Sequence, residues 1–98
     1  MTAASDIREA VRIASTHPAL PGHFPGKPIV PGVVLLDRVA AALEANGARL
    51  ARIGVVKFLT PLEPGEDATL AIVREGTRVS FRIDRDGTPI LRGEGEVA

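Results

Sequence analysis

Two titratable side chains, His23 and Asp37, stand 14 positions apart in a 98-residue sequence with two histidines and no cysteine. An imidazole near its ordinary pKa takes up a proton at neutral pH. A carboxylic acid enclosed by apolar side chains keeps its proton and can donate it. A base and an acid in different surroundings are what proton-transfer chemistry needs. Gly32 adds a third element. Its backbone N–H lies at the expected start of a helix, where the dipole favours negative charge and no Cβ blocks a ligand oxygen. Base, acid and oxyanion donor are the minimum for removing a proton next to a carbonyl and expelling a hydroxyl. Each group also has a plainer reading. His23 fits a turn histidine bonded to a backbone carbonyl, and Asp37 with Arg38 and Glu44 fits a solvated helix face. A metal site from His17, His23 and Asp37 has no HxxxH or HxH spacing behind it.

The elements around these residues follow from local pattern. His23 belongs to THPALPGHFPGKPIVPG, residues 16–32, which holds five prolines and three glycines. Neither a helix nor a central strand tolerates that density. Each proline fixes its own φ and restricts the residue before it, so an ordered loop is expected, of a length that is usually functional. Asp37 belongs to VVLLDRVAAALEAN, residues 33–46, the one expected helix. Pro31 and Gly32 precede it, and Asn46-Gly47 ends it with Gly47 as a left-handed C′ residue. Leu35, Leu36, Val39, Ala42 and Leu43 form a broad apolar face, and Val33, Val34, Ala40 and Ala41 surround Asp37 on a second face. A helix this apolar is expected to be covered by a curved sheet.

The remaining pattern is β. A frayed lead-in over residues 1–8 is followed by a short strand over 9–15, with Val11 and Ile13 on one face. Residues 51–59 form a strand carrying Ile53, Val55 and Phe58, and 60–67 form a turn. Strands follow over 68–75, 78–84 and 88–97, with Val79, Phe81 and Ile83 inward. Asp86-Gly87 is a hairpin signal, and Gly93 and Gly95 mark a close approach or a bulge. The ladder of Arg74, Arg78, Arg82 and Arg85 is expected on an outer face with acidic partners. The class is α+β, one helix against a meandering antiparallel sheet.

Composition removes several functions. The length corresponds to one small domain over residues 1–98. The hydrophobic fraction of 45% and charged fraction of 24% are globular values. Twelve basic residues balance twelve acidic ones, so there is no basic excess for non-specific nucleic-acid binding. Without Trp or Tyr, base stacking has little to work with. The absence of Cys removes disulfides, thiolate zinc sites, iron–sulfur clusters and a Cys nucleophile. Asp6 and Glu9 occupy the region where a signal peptide would be basic. The apolar-rich stretch from Val33 to Leu43 is interrupted by Asp37 and Arg38, far short of the ~20 residues of a membrane span. A soluble, cytoplasmic protein is the expectation.

The motif text goes further. GHFPGKPIVPGVVLLD, residues 22–37, resembles the signature of the 3-hydroxyacyl-[acyl-carrier-protein] dehydratases of fatty-acid synthesis, approximately GHFPGxPxxPGVLxx(E/D). His23 and Asp37 fall on that family's catalytic His and acidic positions. A second block, VVKFLTPLEPGEDATL over residues 55–70, is similar to the family's KFxxPVxPGDxL stretch. Asp at position 37 is similar to the branch that can also isomerise the double bond. The HPALPGHFPGKPIVPGVVLLD form is similar to small stand-alone dehydratases, including those of aryl-polyene clusters.

The resemblance implies a hotdog fold, an antiparallel sheet wrapped around one central helix. It implies active sites at a dimer interface, with the His of one subunit working with the acid of the other. His23 would then abstract the α-proton of a 3-hydroxyacyl thioester, Asp37 would assist departure of the 3-hydroxyl as water, and the Gly32 N–H would polarise the thioester carbonyl. Phe24, Val33, Ala40 and Ala41 would line the acyl tunnel or the subunit contact. No metal or redox cofactor is implied. The implied partners are an acyl carrier protein bearing the phosphopantetheine-linked substrate and a second hotdog chain, in a homodimer or a heterodimer, with no nucleic acid and no membrane span. An acidic carrier calls for a basic docking patch, for which Lys27, Arg38, Arg52 and Lys57 are the candidates. Two departures stand out. Ala41 occupies the position, four after the acid, where the family commonly has Gln, and most of the N-terminal helix and strand of typical members is lacking. Two other functions stay open: a non-catalytic carrier-binding partner subunit, and an acyl-thioester hydrolase in which Asp37 activates water.

Overall fold

The structure, a computed structural model, describes residues 5–17 and 29–98. The elements run β1 (Ser5–Val11), α1 (Gly32–Ala45), β2 (Leu50–Phe58), β3 (Ala68–Glu75), β4 (Arg78–Arg85) and β5 (Thr88–Val97). The five strands form one antiparallel sheet in the order β1-β3-β4-β5-β2. The first two strands therefore occupy opposite edges, and the connection between them must cross the sheet.

Helix α1 lies in that connection and packs on one sheet face. Alternation along the strands turns Leu70, Ile72, Val79, Phe81, Ile83, Leu91 and Val97 toward it. They meet Val34, Leu35, Val39, Ala42 and Leu43 of the helix in one core. Full burial of a side chain of this size contributes roughly 1.5–3 kcal/mol. This is the hotdog architecture that the resemblance implies.

The helix bounds match the expected ones to within a residue. The C-terminus closes as a Schellman motif: the Ala48 N–H donates to the Leu43 carbonyl at 2.9 Å and the Gly47 N–H to the Glu44 carbonyl at 3.1 Å. Gly47 has φ +80°, the conformation that glycine adopts without strain. The Asp86-Gly87 hairpin forms with both residues at positive φ, as a type I′ turn requires. Gly93 leaves room for the Phe81 ring, and Gly95 for the backbone of β2, where a Cβ would come 2.5 Å from the Arg52 carbonyl oxygen.

Three expectations are corrected. The first strand is 5–11 rather than 9–15, and residues 5–8 pair with β3 instead of fraying, with Ile7 opposite Ile72 and Val11 opposite Ala68. Ile13 is buried as expected but lies beyond the ladder, where its carbonyl accepts the Gly65 N–H at 2.8 Å. In the arginine ladder, Arg78, Arg82 and Arg85 meet Glu94, Asp84 and Glu66, at 3.4, 3.3 and 2.9 Å. Arg74 instead donates to the Gly76 carbonyl at 2.9 Å beside the turn, and it stands opposite buried Val79 rather than on the outer face. Finally, among the described residues the sheet covers the helix on one side only. Val33, Asp37, Ala41 and Glu44 remain exposed, since the sheet of a single chain curves around only part of a cylinder.

Strand β2 is an edge strand with two register shifts, between Leu50 and Arg52 and between Ile53 and Val56. Its burial is low along almost the whole length, so Ile53, Val55 and Phe58 are exposed despite their apolar character.

Candidate active site at the helix start

The entry to α1 is held from both sides. The Val30 N–H donates to the Leu62 carbonyl at 2.8 Å, which ties the chain just before the helix to the segment after β2. Pro31 takes the N-cap position with an extended backbone, φ −60° and ψ 143°, and makes no side-chain cap. The first turn contains no acidic residue. The first turn thus offers the positive end of the helix dipole no carboxylate of its own, which suits a ligand oxygen that gains negative charge. Gly32 sits at this point against the Phe58 ring of β2.

Asp37 lies one turn further along α1, exposed, on the same stripe as Val33 and Ala41, while Ala40 is half-buried. Beside the helix start stands an apolar cluster open to solvent: Val33 at 63%, Phe58 at 56% and Leu59 at 48% exposure. Backbone bonding fixes Leu59, whose N–H donates to the Ile90 carbonyl at 2.9 Å. Gly32 and the Phe58 ring are therefore in contact at the helix start, with Val33 and Asp37 following on the exposed stripe of α1, and β2 is an edge strand among the described residues. Neither Phe58 nor Leu59 stood out from sequence as a site residue. The signal for them was the KFL of the second motif block, residues 57–59.

The other candidate residues separate. Arg38 is half-buried with its Nη2 3.8 Å from Glu9 Oε1 of β1, and its buried Nε has no acceptor among the described residues. Arg52 forms an ion pair with Glu96 across the β2–β5 ladder. Lys57 stands opposite Arg92 on the same ladder. Of the carrier-docking candidates, Arg52 and Lys57 thus share the outer face of the β2–β5 ladder, Arg38 lies apart on the helix, and the fourth, Lys27, lies outside the described residues, as do His23 and Phe24. Among the described residues no group of three His, Cys, Asp or Glu side chains is placed to hold a metal ion. No helix among them is long and apolar enough to cross a membrane.

Curated relatives are 3-hydroxyacyl-[acyl-carrier-protein] dehydratases named FabZ. The protein of Sodalis glossinidius is 30% identical over 94% of this chain and 67% of its own length. That of Verminephrobacter eiseniae is 32% identical over 74% of this chain and 57% of its own. The chain spans about six-tenths of the length of these relatives. Among solved structures, a chain described as the dehydratase heterocomplex ApeI:P from Xenorhabdus doucetiae matches with a TM-score of 0.84 at 28% identity. The match covers 95% of this chain and 87% of that one. An uncharacterised protein from Erwinia carotovora subsp. atroseptica has the same fold, with a TM-score of 0.83 at 22% identity, over 100% of this chain and 86% of its own. A family model described as ApeI-like, ApeI dehydratase, matches residues 2–94. By its sequence and by its hotdog fold, the chain belongs to the ApeI-like dehydratase family.

Proposed function

We propose that this protein dehydrates a 3-hydroxyacyl thioester carried on an acyl carrier protein, giving the trans-2-enoyl thioester and water. In this reading the His23 imidazole takes the α-proton, and the electron pair moves onto the thioester carbonyl, to whose oxygen the Gly32 N–H donates a hydrogen bond. Collapse of that enolate expels the 3-hydroxyl, which leaves as water with the proton of Asp37. The carbonyl-polarising donor is fixed before the reaction and so needs no reorganisation.

The observation that carries the reading is the exposed Asp37 on one helix stripe with Val33 and Ala41, one turn from the Gly32 that packs against Phe58, in a chain of this dehydratase family. Acid catalysis by a carboxyl group is favoured where apolar groups close the site to water. A second hotdog chain paired along β2 would supply that enclosure, together with the opposing His23. Docking of the acidic carrier is proposed to draw on Arg52 and Lys57, which share the outer face of the β2–β5 ladder, with Lys27 and the separately placed Arg38 as the further candidates. Arg38 and Arg52 would have to exchange Glu9 and Glu96 for carrier acids, so charge reversal at Lys57 should raise KM the most.

The test is direct. Purified protein is mixed with 3-hydroxyacyl-carrier protein and enoyl formation is followed. Asp37→Asn and His23→Ala should each lower kcat by about 10²–10⁴ with the thermal transition intact. Full activity in either variant refutes the assigned roles. Release of free thiol in place of enoyl product would mean hydrolysis.

Two observations favour a second reading, a partner subunit with no turnover of its own. The similar solved chain is described as part of a heterocomplex, and Ala41 replaces the glutamine that the family resemblance leads one to expect. Turnover only after addition of a second hotdog chain, unaffected by Asp37→Asn, would establish it.

A further inference from the structure

The sheet face turned away from α1 carries cations in one register row. Arg8 of β1 is opposite Ala71 of β3, which is opposite Arg82 of β4, then Arg92 of β5, then Lys57 of β2. Four of the five positions across the sheet are basic, and the row borders a groove of about 600 Å³ whose lining also includes the carboxylates Asp6 and Glu94, the latter paired with Arg78. Small residues at Ala71, Ser80 and Gly93, between the long side chains, make the groove possible. Exposed Val55 and Val73 give its walls apolar surface.

Two features set this row apart. Like charges directly opposite each other destabilise a sheet, and here Arg82 faces Arg92 and Arg92 faces Lys57. The adjacent row, Asp6, Val73, Ser80 and Glu94, has no such conflict. Moreover, the other strand cations have partners: Arg52 with Glu96, Arg74 with the Gly76 carbonyl, Arg78 with Glu94, Arg82 with Asp84 and Arg85 with Glu66. Arg8, Arg92 and Lys57 alone among the described strand cations have neither an acid nor a carbonyl, and all three fall in the one row. A locally unfavourable arrangement maintained on a surface is the mark of a site.

The geometry points to this row as a docking surface for an acidic helix of a partner protein, lying across the strands. Neighbouring strands are about 4.8 Å apart, close to the ~5–6 Å between helix positions i and i+3 or i+4. Carboxylates at i, i+4 and i+7 meet Lys57, Arg92 and Arg82 in turn, and one seven residues further on meets Arg8, two strands away. The surface shares Lys57 with the proposed carrier-docking set, but it stands or falls independently of the reaction, because its test uses no substrate.

The probe is a fluorescent, helix-stabilised peptide with Glu at i, i+4, i+7 and i+14. The control has the same composition with the four Glu on different faces. Anisotropy should show binding of the first that weakens about tenfold in Arg92→Glu and recovers when the facing Glu of the peptide is changed to Lys. Arg92→Gln should also raise Tm by about 2–4 °C by relieving the like-charge row. Equal binding of the control peptide, no binding, or insensitivity to Arg92→Glu would overturn the proposal. So would easier displacement of the peptide by pyrophosphate or duplex DNA at equal charge, which would make the row a general anion surface. An unchanged or lowered Tm in Arg92→Gln would remove the argument from strain.

Discussion

The Phe58 ring fills the space that a side chain on Gly32 would need: a Cβ built there lies 2.6 Å from the ring Cζ. Gly32 thus has a packing reason to be glycine as well as the proposed catalytic one, and the two are separable. Phe58 is more than half exposed, so its ring can turn outward at small cost. Gly32→Ala should destabilise the fold by only about 1 kcal/mol while lowering kcat for dehydration. The double variant Gly32→Ala/Phe58→Ala should recover the melting temperature lost to the clash. If turnover recovers with it, Gly32 serves the ring alone. If turnover stays low, the methyl group obstructs the carbonyl oxygen.

Arg85 holds the turn from which the helix entry hangs. Its Nη1 donates to the Pro61 carbonyl at 3.1 Å and to Glu66 Oε1 at 2.9 Å. The same carboxylate oxygen accepts the Glu63 N–H at 2.8 Å. Leu62, inside this turn, accepts the Val30 N–H two residues before the helix. Arg85→Ala should therefore cost about 1.5–3 kcal/mol in urea unfolding, the range for hydrogen bonds to a charged group. It should also lower kcat more than it raises KM, because the helix start loses its support. Arg85→Lys should keep the charge but lose one of the two bonds, and fall between.

Which features could be read in advance depended on how local they are. The Schellman end at Gly47 and the Asp86-Gly87 hairpin follow from a few consecutive residues, and both formed where expected. The first strand was shifted because Glu9 occupies a half-buried, inward position on β1, facing Arg38 at 3.8 Å. That charge breaks the apolar alternation of Ile7 and Val11, and the segment reads as irregular. Asp37 was rightly placed on the helix, but its apolar neighbours in sequence do not enclose it within one chain, because Val33 and Ala41 turn outward. The cation row was out of reach for another reason. It exists only in the register of five strands, and pairing such as Arg82 with Arg92 is not written in any single segment.

The free edge of β2 carries a prediction about assembly. Val55 is 63% exposed on a strand whose outer edge has no partner among the described residues. A bare, apolar edge strand is a surface for pairing with another chain, and a lysine within it opposes that pairing. Sedimentation equilibrium of the protein should give at least twice the chain mass. Val55→Lys should reduce it to one chain and abolish turnover, since the proposed site takes His23 and Asp37 from different chains. Full turnover by a monomeric Val55→Lys protein would exclude a shared site.

Gly93 makes the same kind of contact as Gly32, with the opposite consequence expected. A Cβ on Gly93 would lie 2.6 Å from Phe81 Cε1 and 3.1 Å from Val56 Cγ2. Phe81 is 3% exposed and packed in the core, so its ring has nowhere to turn. Gly93→Ala should therefore cost about 1–3 kcal/mol, read as a lower urea midpoint with an unchanged slope. Phe81→Leu alone should also destabilise, by removing buried ring surface. In the double variant the smaller side chain at 81 makes room for the methyl at 93, so the combined loss should be less than the sum. Strict additivity would mean that the methyl group strains the β2–β5 backbone instead. The remedy would then be sought at Val56, the other side chain within reach.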